Sequence, residues 1–180
     1  MALAQAKLKR LDDIYALPDG QRAELIDGQM YMMAPPNTAH QKISWKLHQT
    51  IANYIDSMGG NCDVFAAPFA VFLNKDDFNY VEPDLSVICD RNKINDKGCS
   101  GAPDWIIEIV SPSTQTMDYG IKLFKYRTAN VREYWIVNPV THIVNVYDLE
   151  HDEKTRQYSF NDNIPVCIYE NFSVCISGLL

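Results

Sequence analysis

The sequence lacks three features that would each identify a broad class of protein. No apolar run approaches the roughly 20 residues that a membrane-spanning helix requires. Lysine and arginine number 16 against 23 aspartate and glutamate residues, and the formal charge of −7 argues against a broad basic surface that coats nucleic acid. The N-terminal residues also lack the apolar core and cleavage pattern of a signal peptide, so we expect none. An acidic, metal-dependent site that meets phosphates through cations remains compatible with all three absences.

The cysteines likewise lack the spacing of a metal site. They are five in number, an odd count, and they form no Cys-x-x-Cys pair: Cys62, Cys89, Cys99, Cys167 and Cys175. This pattern argues against a zinc site and against a disulfide framework. We therefore expect reduced, mostly structural thiols in a cytoplasmic protein.

The length and composition fit one soluble domain. The chain has 180 residues, of which 47% are hydrophobic and 22% are charged, enough to form one sizeable core. We predict a single domain over residues 1–180. Residues 1–20 form a polar lead-in with a short helix at 8–16, and the core extends from about residue 20 to about residue 150.

Two local patterns are clear in the first third of the chain. Asp27-Gly28 lies between apolar residues and predicts a hairpin of two short strands. Residues 39–58 carry apolar side chains at helical spacing, after a possible cap at Asn37 or Thr38 and before Gly59-Gly60. The sequence therefore predicts a hairpin followed by a long helix that packs on a sheet.

The middle of the chain predicts the sheet itself. Strand patterns occur at 62–73, broken by Pro68, then at 85–88 and 105–110, with a polar loop at 90–103 between the last two. A helix from the cap Ser113 or Thr114 to about residue 129, ended by Asn130, then leads to a strand at 133–138. A strand-helix-strand step of this kind favours a right-handed crossover and parallel neighbours. Further strands at 142–149 and 156–160, and a weaker one at 167–176, predict antiparallel additions after a polar turn at 150–154. The fold class is α/β, with a central mixed sheet flanked by helices.

Two of the apolar runs each carry one acidic residue. Asp84 follows Pro83 at the entrance of one strand, and Glu108 lies within Trp-Ile-Ile-Glu-Ile-Val of the other. An unpaired buried carboxylate is so costly that such a group is normally paired, protonated or bound to a metal. Glu108 in particular therefore indicates a functional or tightly paired site.

These residues suit phosphodiester hydrolysis, which uses a divalent cation. Magnesium takes oxygen ligands and keeps several waters, so Asp84, Glu108 and the carbonyl of Ile109 could hold it. Lys122 lies on the following helix, from which its ammonium group could orient a water or stabilise the transition state. Asp118, four residues earlier, could hold Lys122 in place.

Six segments follow one another in the order of a known family: Glu24-Leu-Ile-Asp-Gly, residues 36–40, Pro83-Asp84-Leu, Glu108-Ile-Val-Ser-Pro-Ser-Thr, Asp118-x-x-x-Lys122-x-x-x-Tyr126 and Glu133-Tyr-Trp-Ile-Val-Asn-Pro. Over residues 20 to 150 the chain resembles the Uma-type (Uma-two) branch of the PD-(D/E)xK nucleases. Val110 stands where the superfamily pattern has its lysine. In this branch the lysine is on the next helix, which matches Lys122.

The resemblance implies a restriction-endonuclease-like fold and an endonuclease that hydrolyses DNA with Mg²⁺, or Mn²⁺ in its place. It also implies a homodimer. Residue by residue, Asp84 and Glu108 correspond to metal ligands, Lys122 to the catalytic lysine and Glu24 to an additional carboxylate at the rim of the site. Asp27, within the same motif as Glu24, is expected to be structural.

Two other functions remain open. The chain could be a non-catalytic nucleic-acid-binding or assembly protein on the same fold, or a hydrolase of small phosphoesters or nucleotides. Lys122 could equally be a solvated helix lysine, Glu24 a surface charge, and His40 a helix-start residue or a phosphate contact. A Lys122 side chain directed into bulk solvent would contradict the prediction that the chain is an enzyme.

Overall fold

The computed structural model describes residues 7–112, 114–151 and 155–180. Residues 1–6 of the lead-in, the possible cap Ser113 and the end of the turn predicted at 150–154 lie outside the described residues. The elements before the central crossover are α1 (Leu11–Tyr15), β1 (Ala23–Ile26), β2 (Gln29–Met32), α2 (Thr38–Met58), β3 (Asp63–Ala66), β4 (Val71–Phe72), β5 (Leu85–Ile88), β6 (Ile94–Asn95), β7 (Gly98–Ser100) and β8 (Trp105–Ile109). Those after it are α3 (Leu123–Thr128), β9 (Glu133–Asn138), β10 (Ile143–Asp148), β11 (Arg156–Ser159), β12 (Ile164–Pro165) and β13 (Ser173–Val174).

A six-stranded mixed sheet in the order β11-β10-β9-β8-β5-β3 forms the centre of the fold. β8 and β9 are parallel, which confirms the predicted parallel neighbours, and the other neighbours in the sheet are antiparallel. Every residue of β5, β8 and β9 is buried. Continuous apolar runs in these three strands are therefore explained by cover on both faces of the sheet.

The hairpin and the long helix are confirmed. β1 and β2 pair through a turn in which Asp27 and Gly28 both have positive φ, 50° and 74°. At the start of α2 the side chain of Asn37 accepts a hydrogen bond from the His40 N–H, and Gly59 ends the helix in a left-handed conformation. The buried stripe of α2 packs against the central sheet through Ile43, Leu47, Ile51 and Ile55.

The crossover differs from the single helix predicted at 114–129. Residues Met117–Lys122 form a π-helical segment that continues into α3, and Asn130, with φ 66°, ends it as predicted. Side chains four residues apart drift by about 40° around an α-helix, whereas the wider π turn offsets that drift. Asp118, Lys122 and Tyr126 consequently lie on one side of the segment, and all three are buried. The π-helical segment followed by α3 therefore directs three polar side chains toward the sheet.

The prediction of an irregular loop at 90–103 is wrong in part. β6 and β7 join β4 in a small three-stranded sheet. Gly98 has φ 133°, and a Cβ atom there would lie 2.2 Å from the Ala70 carbonyl oxygen, so close backbone approach requires glycine. The strand pattern predicted at 62–73 is divided between two sheets, because β3 joins the central sheet and the two-residue β4 joins the small one.

The cysteine prediction is wrong for two of the five residues. Cys62 and Cys89 form a disulfide, because they directly flank the paired residues Asp63 and Ile88 of β3 and β5. Cys99, Cys167 and Cys175 are free thiols. Within the described ranges, no helix has both the length and the apolar character needed to cross a membrane.

Candidate active site

A cleft of about 920 Å³ opens between the β1–β2 hairpin, α2, the π-helical segment and the neighbouring ends of β5 and β8. All four residues predicted as catalytic line this cleft: Glu24, Asp84, Glu108 and Lys122. Asp118, His40 and Ile109 line it as well. The fold thus brings the predicted site residues together from three separate parts of the chain.

Lys122 lies at the centre of the acidic residues. Its Nζ atom is 2.8 Å from Glu24 Oε2, 2.9 Å from Glu108 Oε1 and 3.8 Å from Asp118 Oδ1. The residue is 3% exposed, so its side chain does not point into bulk solvent. Tyr126 donates a second hydrogen bond to Glu108 Oε1 at 2.7 Å. The crossover segment therefore holds the Glu108 carboxylate with both an ammonium and a hydroxyl group.

Asp84 joins this cluster through strand β8. Its Oδ2 atom accepts a hydrogen bond from the Ile109 N–H at 2.7 Å and lies 3.0 Å from His40 Nε2. Pairing of Leu85 with Ile107 brings Asp84 beside Glu108 on neighbouring strands. The contact with His40 was not foreseen. The Asn37 cap places His40 in the first turn of α2, but only the tertiary fold brings that turn to β5.

Glu24 is held by a second network that sequence analysis missed. Its Oε1 atom accepts a hydrogen bond from the Glu82 N–H at 3.0 Å. The buried Glu82 side chain in turn accepts hydrogen bonds from Tyr80 at 2.6 Å and from Arg22 Nε at 2.7 Å. These contacts fix Glu24 as a buried carboxylate, and the alternative that it is a surface charge is wrong. Their only sequence signal is the proximity of Glu82 to Asp84.

Asp27 and Asp104 lie apart from the predicted set. Asp27, in the hairpin turn, pairs with Lys125 of α3. Asp104, which follows Pro103 as Asp84 follows Pro83, accepts a hydrogen bond from the Cys89 N–H at 2.8 Å and pairs with Arg132 at 3.3 Å. Neither residue lines the cleft. Both have structural partners, as expected for turn residues.

Burial and the neighbouring charges both shift the pKa values of the clustered side chains. Burial raises the pKa of Glu108 well above its ordinary value, and although the Lys122 charge lowers it, neighbouring Asp84, Asp118 and Glu24 raise it further. Burial alone would lower the pKa of Lys122, but Glu108, Glu24 and Asp118 raise it well above its ordinary value. Lys122 therefore stays protonated at neutral pH, and the carboxylates compete for a single cation.

Asp118 makes this competition measurable. Burial raises its pKa from the ordinary 3.8 to about 6, although the Lys122 charge lowers it. Because the folded pKa is the higher one, the stability contributed by this group is complete below about pH 4 and is lost as pH rises through about 6. We expect Asp118→Asn to raise the free energy of unfolding by about 2 kcal/mol at pH 7.5 and to give no gain at pH 4.

Urea denaturation at the two pH values measures this difference. Asp56→Asn, at an exposed position of α2, is the matched control, and we expect it to change stability by less than about 0.5 kcal/mol at either pH. An Asp118→Asn gain that is the same at pH 4 and pH 7.5 would contradict the raised pKa.

The carboxylates of the cleft fit only a small type of divalent-cation site. In residues 7–112, 114–151 and 155–180, no group of three or more His, Cys, Asp or Glu side chains is arranged to hold a metal ion. Lys122 Nζ lies between Glu24 and Glu108, which separates their carboxylates. Magnesium, however, is commonly held by one or two carboxylates with several waters. Neighbouring Asp84 and Glu108 supply oxygen donors of that kind, so the residues present fit this smaller type of site.

The chain is similar to a protein family and to a solved structure that are both described as putative nucleases. It matches the Uma2 family, described as "Putative restriction endonuclease", over residues 9–173. It is 28% identical over 133 residues to "Uncharacterized protein slr1290" of Synechocystis sp., covering 73% of this chain and 68% of that relative. It also resembles the crystal structure of "a putative nuclease belonging to DUF820" from Anabaena variabilis, with a TM-score of 0.76, 20% identity and coverage of 94% of this chain and 96% of the other. The structural likeness confirms the predicted restriction-endonuclease-like α/β fold.

Proposed function

Since the chain belongs to the Uma2 family of restriction-endonuclease-like proteins, we propose that it is a Mg²⁺-dependent endonuclease that hydrolyses DNA phosphodiester bonds. The observation that carries the proposal is the buried lysine: Lys122 contacts Glu24 and Glu108 in the same cleft that Asp84 lines. Lysine is almost never fully buried unless it is paired, and here three carboxylates hold the buried ammonium group at the wall of the cleft. A lysine and carboxylates in an open cleft are the groups that phosphoryl chemistry requires.

We assign the cation to Asp84, Glu108 and the carbonyl of Ile109. The Ile109 N–H faces Asp84, and the N–H and carbonyl of a strand residue point to the same side, so the carbonyl faces Asp84 too. When bound there, Mg²⁺ or Mn²⁺ would neutralise phosphate charge and lower the pKa of a water. His40 and the Ile109 N–H orient Asp84, and Tyr126 orients Glu108.

We assign to Lys122 the role of the positively charged side chain that takes part in catalysis. Its ammonium group carries three donors, of which the described contacts with Glu24 and Glu108 engage two. It remains protonated because the surrounding carboxylates raise its pKa. It can therefore donate a hydrogen bond to a phosphate oxygen as charge develops in the transition state. Glu24, held by the Glu82 N–H, keeps the lysine directed into the cleft.

Cleavage of supercoiled plasmid tests the proposal. We expect the purified protein to nick the plasmid with Mg²⁺ or Mn²⁺ and to be inactive with excess EDTA. Bis(p-nitrophenyl) phosphate is the companion substrate. Hydrolysis of this small diester without plasmid cleavage would favour the small-phosphoester hydrolase. DNA binding without cleavage of either substrate would favour the non-catalytic protein.

A further inference from the structure

Helix α2 exposes an aromatic side chain at the rim of the cleft. Trp45 is 58% exposed, and it lines the cleft with Gln41 and His48, which lie four residues before it and three after it on the same face of the helix. Exposure of this extent is uncommon for a tryptophan in an ordinary surface position. Trp105 and Trp135, the other two tryptophans, are fully buried in the central core. Trp45 therefore has no packing role that explains its position.

The position of Trp45 relates it to the proposed catalytic residues. His40, five residues earlier in α2, contacts Asp84. Trp45 thus lies about 7.5 Å further along the helix axis. The segment of residues 30–36 also lines the cleft and is largely apolar, and its Met32 is 56% exposed. An apolar and aromatic surface is therefore continuous with the acidic centre.

The charges of the cleft oppose recognition through the phosphate backbone. Among the described residues that line it are five carboxylates (Glu24, Glu82, Asp84, Glu108 and Asp118) and two cations (Arg22 and Lys122). Both cations are engaged in ion pairs with these carboxylates. Phosphates on either side of the cleaved bond would therefore meet little positive charge inside the cleft. Beyond the proposed cation and Lys122 at the cleaved phosphate, contacts to the faces of the bases can supply affinity there.

We infer that Trp45 is a stacking platform for an unpaired base and that the substrate is DNA with single-stranded nucleotides at the cleavage point, which negative supercoiling favours in a plasmid. An indole stacks on any base, but in a duplex the base faces are covered by their neighbours. The cleft volume of about 920 Å³ lies in the range of small-ligand sites, which suits a few nucleotides rather than a duplex. Lys46 Nζ lies 5.0 Å from the Trp45 ring centroid and Lys42 is exposed on the same helix, so both can meet phosphates outside the cleft. This assignment rests on the proposed nuclease function and specifies its substrate.

Fluorescence of the full chain measures binding without requiring cleavage. The probes are a single-stranded oligothymidylate of about 12 nucleotides and a blunt duplex of the same length, each with Ca²⁺ in place of Mg²⁺. Because Trp105 and Trp135 are buried, quenching by the single strand reports on Trp45. We expect quenching by the single strand and at least tenfold weaker binding of the duplex.

Three variants test the role of Trp45. We expect Trp45→Ala to weaken single-strand binding by about tenfold or more, measured by anisotropy of a labelled probe, and to leave duplex binding unchanged. Trp45→Phe retains an aromatic ring and should recover most of the affinity. Phe124→Ala removes an aromatic that is 64% exposed outside the cleft and should match the wild type.

The outcomes separate this assignment from the proposed function. If the protein binds single strands through Trp45 but does not cleave DNA, the stacking platform is supported and the proposed nuclease function is refuted. A protein that cleaves plasmid while Trp45→Ala binds and cleaves normally refutes the platform alone. Loss of self-association in Trp45→Ala, with unchanged binding of the single strand, would make this face an interface between copies of the chain and overturn the assignment. Absence of single-strand binding by the wild type would overturn it too.

Discussion

Replacement of Asp84 by asparagine should lower the rate of metal-dependent plasmid nicking by about 10³-fold or more while the fold is retained. The asparagine carbonyl can still accept the hydrogen bond of the Ile109 N–H, so the link between β5 and β8 persists. The negative charge that we assign to cation binding is lost, and a bound cation supplies several kcal/mol of transition-state stabilisation. Initial rates of nicking with saturating Mn²⁺ measure the effect.

Asp104→Asn is the matched control, because Asp104 also follows a proline and also accepts a backbone N–H hydrogen bond, yet lies outside the cleft. We expect its nicking rate to stay within about twofold of the wild type, because Asp104 lies outside the cleft and the asparagine carbonyl can still accept the Cys89 N–H hydrogen bond. Equal losses in the two variants would show a structural effect. Unchanged nicking by Asp84→Asn would remove Asp84 from the mechanism.

Lys122→Met should give the second large effect, this time on stability. Among the described residues, Lys122 is the one cation that contacts Glu24, Glu108 and Asp118. Breaking a buried ion pair from one side costs about 3–5 kcal/mol. We expect a loss of that size in the free energy of unfolding at pH 7.5. The loss should be smaller at pH 5, where the buried carboxylates bind protons more readily. Urea denaturation at both pH values measures it.

Lys125→Met provides the comparison from the next turn of the same segment. Lys125 is 12% exposed, but its partner Asp27 is 67% exposed and stays hydrated without it, so the change should cost less than about 1 kcal/mol. If Lys122→Met were as stable as Lys125→Met at pH 7.5, the ammonium group would not be the element that holds the cluster. A loss that grows toward pH 5 would contradict the predicted competition for protons.

Local signals were sufficient for the parts of the fold that depend on near neighbours in the chain. Asp27-Gly28 predicted the hairpin because two consecutive positive φ angles strongly favour those residue types. Asn37 and Gly59 predicted the ends of α2 for the same kind of reason. The parallel pairing of β8 with β9 followed from the strand-helix-strand order, because a helical crossover returns the chain to the same edge of the sheet.

Features that depend on contacts between distant segments could not be predicted in this way. The disulfide between Cys62 and Cys89 depends on which strands are neighbours in the sheet. The glycine at position 98 indicates an unusual backbone conformation, but the sequence does not show that Ala70 lies against it. The π-helical segment also has no local signal, since Asp118 and Lys122 fit α-helical spacing equally well. Polar groups at functional sites often require such departures from regular structure.

In the candidate site, too, the sequence indicated the main residues but not the long-range contacts that support them. The acidic residues of the apolar runs and the helix after them indicated Asp84, Glu108 and Lys122, the resemblance added Glu24, and the fold places all four in one cleft. Their supporting contacts were missed, among them His40 with Asp84 and Tyr126 with Glu108. Such partners come from residues whose types are common in ordinary surfaces and cores, so only three-dimensional proximity distinguishes them.

Calorimetric titration of Mn²⁺ into the metal-free protein tests most directly whether the cleft is a cation-dependent catalytic centre. We expect saturable binding to the wild type and to Asp104→Asn, and loss of that binding in Asp84→Asn. Cooperative unfolding of all three proteins would establish that each is folded. A folded wild type that binds no Mn²⁺, or an Asp84→Asn variant that binds it as tightly as the wild type, would contradict the assignment of the cation to Asp84 and Glu108.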